Sequence, residues 1–142
     1  MTYLVDVNVW LALAVEGHVH HAVAKEWFSG LASGEARWCS LSELSFLRLS
    51  TNRAALGRSV VTPRAAWELL QTLLSDERVR EVREPDGLLP KMRDFTAPAR
   101  EMSGSSWTDA YLAAFAAACG YTLATFDKRI GKRYPLRVEA IA

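Results

Sequence analysis

Tyr3-Leu4-Val5-Asp6-Val7 is the stretch on which the fold turns. Its apolar, β-branched residues have the character of a strand buried on both faces, yet the run carries a carboxylate near its end. A second run of the same design lies far along the chain, where Thr122-Leu123-Ala124-Thr125-Phe126 is followed at once by Asp127. Between the two, helical and strand-like segments alternate. Residues 8–15 read as a short helix broken at Gly17, and 21–31 place Ala24, Trp27, Phe28 and Leu31 on one helical face. Residues 36–39 read as a strand, and Leu41, Leu44, Leu47 and Leu49 mark a third helix ending near Thr51-Asn52. Thr62-Pro63 opens a further helix by placing Thr at N-cap and Pro at N1. Residues 79–82 alternate apolar and charged like an outer strand, and the proline-rich 86–100 holds one short helix. Residues 106–119 predict the most apolar helix, stopped by Gly120, and 137–141 a last strand. Strands alternating with helices, without linker or repeat, predict one α/β domain over 1–142. Its central sheet would be mainly parallel, with helices on both faces.

Composition narrows the function. Half of the 142 residues are hydrophobic and the net charge is +1, from 17 basic and 16 acidic residues. Such a chain buries a core without staples and does not hold nucleic acid through bulk charge, so any such role needs a local patch. Glu16 and His18 interrupt the apolar run from Leu11, so no membrane span is expected. No basic segment precedes an apolar stretch, and Cys39 and Cys119 make no disulfide framework; a reduced, cytoplasmic protein is the expectation.

Ligands of open α/β sheets bind beyond the carboxyl ends of the strands. Asp6 and Asp127 close two strands there, while Glu43 and Asp109 lie near the starts of two helices. Three of them have an ordinary alternative. Ser40-Leu41-Ser42-Glu43 and Ser106-Trp107-Thr108-Asp109 both match a capping box, and Asp127 opens a plausible turn. Asp6 resists such a reading, because a carboxylate ending a buried strand costs several kcal/mol unless paired or bound to a cation. Four acids brought to one place would raise one another's pKa and call for a cation. Mg²⁺ or Mn²⁺ suits hard oxygen donors, and such a site handles phosphate esters.

Leu4-Val5-Asp6-Val7-Asn8-Val9-Trp10, Ser42-Glu43-Leu44, Trp107-Thr108-Asp109-Ala110-Tyr111-Leu112 and Leu123-Ala124-Thr125-Phe126-Asp127 resemble the acidic blocks of PIN-domain ribonucleases. The likeness is greatest to the toxin subunits of VapBC-type toxin–antitoxin pairs, which the segment His18 to Trp27 also resembles. The resemblance implies a PIN fold, an Mg²⁺-dependent endoribonuclease acting on RNA, a homodimer, and inhibition by a cognate antitoxin. By position it makes Asp6 and Asp109 the principal metal ligands, with Asp127 and Glu43 completing the catalytic set. Asn8 and Thr125 become supporting hydrogen-bonders. Lys128-Arg129-Ile130-Gly131 departs from the Gly-aromatic turn of many relatives. Two other readings stand beside this one: a PIN-like fold retained only for protein binding, and a phosphatase of the haloacid dehalogenase type. The latter normally shows Asp-x-Asp where this chain has Asp6-Val7-Asn8.

His18, His20 and His21 lack the i, i+4 spacing of a helical zinc site and read as loop and helix-start residues. Trp10 and Trp107 read as core. Arg48, Arg53, Arg58 and Arg64 form an acid-free stretch, expected to meet an antitoxin or a second subunit. Lys128, Arg129, Lys132, Arg133 and Arg137 form another, which begins beside Asp127 and so could hold RNA backbone.

Overall fold

In the computed structural model, which describes residues 1–142, the opening run forms β1 (Tyr3–Val5) and passes through Asp6 alone into α1 (Val7–Ala14). The strand is therefore shorter than the apolar run, since Val7 is already helical. Asp6 has an extended backbone, and its carbonyl accepts from the amides of Val9 and Trp10 at 3.0 and 3.3 Å. That makes it the N-cap of α1, a position aspartate favours. The chain continues as α2 (His21–Ser29), β2 (Ala36–Trp38), α3 (Ser40–Ser50), α4 (Arg53–Leu56), α5 (Pro63–Leu74) and β3 (Val79–Glu81). It ends with α6 (Leu88–Thr96), α7 (Gly104–Cys119), β4 (Thr122–Thr125), α8 (Ile130–Arg133) and β5 (Val138–Ala140). Thr62 caps α5 as expected, its hydroxyl accepting from the Ala65 amide at 3.2 Å ahead of Pro63.

The five strands lie in the order β3-β2-β1-β4-β5, every neighbouring pair parallel. The chain lays β2 and β3 to one side of β1, then crosses to lay β4 and β5 on the other. The switch point thus falls between β1 and β4, where a crevice opens at the carboxyl ends. Register pairs Val5 with Ala124, and the Asp6 amide extends the ladder by donating to the Ala124 carbonyl at 2.9 Å. Asp6 consequently stands beside Thr125. β3 is an edge strand, as expected, but Val79 is buried while Arg80 and Glu81 are both exposed, so the alternation expected over 79–82 is not kept at Glu81.

Helices cover both faces. On one, Trp10 of α1 stacks on Trp38 of β2 at 4.1 Å, with Phe28 and Phe46 packed edge-on around the pair. On the other, Ala110, Ala113 and Ala114 bring α7 close to Leu4 and Leu123. Trp107 departs from expectation: it is 50% exposed rather than in the core. The buried face of α7 starts only at Ala110, so the first turns project beyond what the sheet covers. His20 is the N-cap residue of α2, and the His21 Nδ1 lies 2.7 Å from the Ala12 carbonyl oxygen, tying α2 to α1. Cys39 is buried and Cys119 partly so, both as free thiols. No helix is long and apolar enough to cross a membrane.

Candidate active site

Local hydrogen bonding releases both helix-start acids from the capping roles that their spacing allows. Cys39, not Ser40, is the N-cap of α3, and Ser42 at N3 closes the box. The Ser42 hydroxyl donates to the Cys39 carbonyl at 2.9 Å and accepts from the Cys39 amide at 3.1 Å. Glu43, one position further on, is left without a capping bond. α7 likewise starts at Gly104, two residues before the sequence reading, with Ser103 at N-cap. Asp109 therefore sits in the second turn, beyond the orphan amides that a cap would satisfy.

At the switch point, the Thr125 hydroxyl donates to Asp6 Oδ2 at 2.8 Å and accepts from the Asp127 amide at 3.1 Å. Thr125 is itself buried, so one rigid hydroxyl sets the positions of two acids. Burial pushes the Asp6 carboxyl above the usual aspartate range. Its bond from Thr125 works against that shift, and the nearby Asp109 carboxylate adds to it. The first amides of α1 favour the ionised form without making a capping hydrogen bond. Burial also raises Asp109; Arg133 opposes that rise and Asp127 reinforces it. Asp127 is held low, first by the Arg129 amide on its Oδ1 at 2.8 Å, and then by the Arg129 and Arg133 guanidiniums. The turn reading of Asp127 is therefore also correct: its carboxylate closes an Asx turn. Asn8 is exposed and takes part in no side-chain hydrogen bond; its expected supporting role has no partner here.

Glu43 faces a different neighbour. Burial, a shared hydrogen bond with Glu81 and repulsion from that carboxylate push it up to about 7. Glu43 therefore takes up its proton near neutrality, beside the Glu81 carboxylate. A folded pKa above the ordinary 4.3 means that the folded state binds this proton more tightly. Stability should therefore rise as pH falls through about 7 and level off near 4.5. Thermal melts at pH 8, 7, 6 and 5 check this: the rise should be smaller in Glu81→Gln and smallest in Glu43→Gln, with a remainder from the raised Asp6 and Asp109. Equal pH curves for all three proteins would deny the raised Glu43.

The fold thus brings Asp6, Asp109 and Asp127 into electrostatic contact and sets Glu43 against Glu81. No three of the chain's Asp, Glu, His and Cys side chains are gathered closely enough to hold one ion together. Glu81 escapes the sequence reading, and Arg133, expected only as an RNA-backbone contact, has a second role. Arg133 Nη2 lies 3.6 Å from Asp109 Oδ2 and 3.4 Å from Asp127 Oδ2, bridging the two acids. Glu81 ends an edge strand more than thirty residues from Glu43, and no local spacing announces either contact. The parallel pairing of β2 and β3, with Trp38 opposite Glu81, carries it alongside α3's start.

The PIN domain family model matches residues 3–134, from β1 through α8 and across all four acids. Ribonuclease VapC41 of Mycobacterium tuberculosis is 43% identical over 129 residues, covering 87% of this chain and 88% of that protein. Two solved structures share the fold. VapC20 of Mycobacterium tuberculosis, a toxin that cleaves the sarcin-ricin loop, superposes with a TM-score of 0.70 at 20% identity. That superposition covers 92% of this chain and 94% of VapC20. DNA-bound VapBC from Salmonella typhimurium gives 0.71 at 15% identity, over 98% of this chain and 97% of that one. Strand order, switch point, acidic blocks and sequence identity converge: the chain belongs to the PIN-domain family and, within it, to the VapC ribonucleases.

Proposed function

We propose that this chain is the toxin of a type II toxin–antitoxin pair, a Mg²⁺-dependent endoribonuclease of one domain that acts in the cytoplasm. Its acidic site would comprise Asp6, Glu43, Asp109 and Asp127. The observation that carries the reading is Asp6: a desolvated carboxyl at the switch point, oriented by Thr125, repelled by Asp109 and paired with no cation of its own. Asp6 and Asp109 offer a pair of hard oxygen donors. One or two carboxylates with retained waters are how Mg²⁺ is usually held, and Mn²⁺ fits the same donors. When bound, such an ion lowers the pKa of water and polarises the phosphoryl oxygen.

The chain's own residues supply the rest. Thr125 fixes the Asp6 carboxylate through its hydroxyl, and the Asx turn fixes Asp127. Glu43, with a pKa of about 7, can hold or release a proton at its carboxyl oxygen at physiological pH, the property general acid–base work needs. Arg133, beside Asp109 and Asp127, offsets negative charge where a phosphodiester would approach. Product mapping on total RNA tests the reading. New 5′ ends should appear with the native chain and not with Asp6→Ala; identical products from both would reject it.

A cognate antitoxin and a second copy of the chain are the proposed protein partners. Arg48, Arg53, Arg58 and Arg64 are exposed and enter no ion pair, and Leu56 lies partly exposed among them. Replacing Leu56 and Arg53 with alanine is expected to weaken antitoxin binding or dimerisation at least about tenfold, as loss of interface anchors does. Calorimetry and sedimentation measure the two. Unchanged values in both would move the interface elsewhere.

A further inference from the structure

Beside the acids lies a cavity of about 410 Å³ with no hydrophobic lining, bounded by Ser103, Ser106, Asp109, Arg129, Lys132 and Arg133. Its chemistry is unbalanced. Arg133 reaches its two carboxylates only at 3.4 and 3.6 Å, and Arg129 reaches Asp127 at 3.4 Å with its side chain 82% exposed. Lys132 makes no ion pair. The Ser103 and Ser106 hydroxyls are 2.7 Å apart and bond to each other. Guanidinium and ammonium groups donate only, and two guanidiniums present ten N–H donors between them. Many donors thus face a hollow with few acceptors. Arginine's planar fork matches phosphate oxygens, and lysine adds a point charge.

Asp109 belongs both to this cavity and to the electrostatic pair with Asp6. An anion seated there would be next to whatever occupies the acids. We infer that the cavity between the start of α7 and α8 is a phosphate subsite. It would hold one backbone phosphate of single-stranded RNA adjacent to the scissile one, through Arg129, Lys132 and Arg133. This rests on the ribonuclease reading above and adds to it how the strand is held. Arg133 serves both places, and so links occupancy of the subsite to the charge felt by Asp109 and Asp127.

The test uses the full chain in EDTA, so that RNA binds without being cut. The probes are short RNAs spanning the mapped cleavage site, each with one phosphate replaced by a neutral methylphosphonate. For the native chain, one replacement flanking the scissile phosphate should weaken binding about tenfold, the scale of a charge-assisted contact. In Arg129→Ala/Lys132→Ala that position should no longer matter. The slope of log K against log salt should also flatten by roughly 0.7 for each lost contact. Both side chains are exposed, so the fold should survive; Lys132→Ala alone provides a milder variant. Lys25→Ala/Arg80→Ala is the control for net charge and should leave the position-specific effect intact. Equal effects of every methylphosphonate in native and variant chains, with metal-dependent cleavage retained, would overturn the subsite alone. Failure of the native chain to bind or cut any RNA would overturn the ribonuclease reading and the subsite with it.

Discussion

Asp6→Asn is expected to abolish RNA cleavage while raising the melting temperature near neutral pH, and Asp109→Asn to abolish cleavage with little change in fold. A loss of transition-state charge stabilisation of this kind costs on the order of 10³-fold in rate. Stability moves the other way because Asp6 is raised above its ordinary pKa by burial and by Asp109. Above that folded pKa the ionised carboxylate destabilises the native state. The cost shrinks as pH falls through the folded value and is gone below the unfolded value of about 3.9. Asparagine removes the charge yet keeps an oxygen for the Thr125 hydroxyl. Relief of about 1 kcal/mol would raise the melting temperature by about 2–4 °C at this chain length. Melts from pH 8 down to about pH 4 check the sign, since the advantage of Asp6→Asn must narrow as the pH drops through the folded value toward the unfolded one. A variant that unfolds, or one that still cuts RNA, would make Asp6 a structural cap and nothing more.

Removal of divalent metal is the second large effect. Cleavage should disappear in excess EDTA and return with Mg²⁺ or Mn²⁺, because carboxylates alone neither activate water nor offset phosphoryl charge. Added ion should also stabilise the fold, since it binds where Asp6 and Asp109 repel. An ion at 100 times its dissociation constant contributes about 2.7 kcal/mol. Binding must displace any proton held by the raised carboxyls, so the affinity should fall as pH drops. Calorimetry and melts without RNA read this independently of activity, and both responses should be lost in Asp109→Asn. Undiminished cleavage in chelator would sink the metal mechanism; binding unaffected by Asp109→Asn would relocate the ion.

These expectations draw on two kinds of information. The strand that runs up to Asp6, the Thr62-Pro63 helix start and the outer strand at Val79–Glu81 were legible in the chain itself. Each rests on forces that act within a turn of helix or along one strand: side-chain periodicity, a cap bond three residues away, a fixed proline φ. Even local signals competed, however. Two capping boxes were available around Glu43, and the choice of Cys39 with Ser42 went with burial of both side chains. Packing decided what spacing left equal.

Tertiary structure alone decided who meets whom at the sheet's carboxyl edge. Thr125 reaches Asp6 across 119 residues because β1 and β4 pair in parallel with Val5 opposite Ala124. Glu81 reaches Glu43 because β3 adds outside β2, and Arg133 reaches Asp109 because α8 follows β4 back toward α7. Trp107 stays exposed because the buried face of α7 begins only at Ala110. Which acids a chain carries, and on which elements, follows from local order. Their pKa values and counter-ions depend on distances of a few ångströms between distant segments, and those are set only when strand order and register close the sheet.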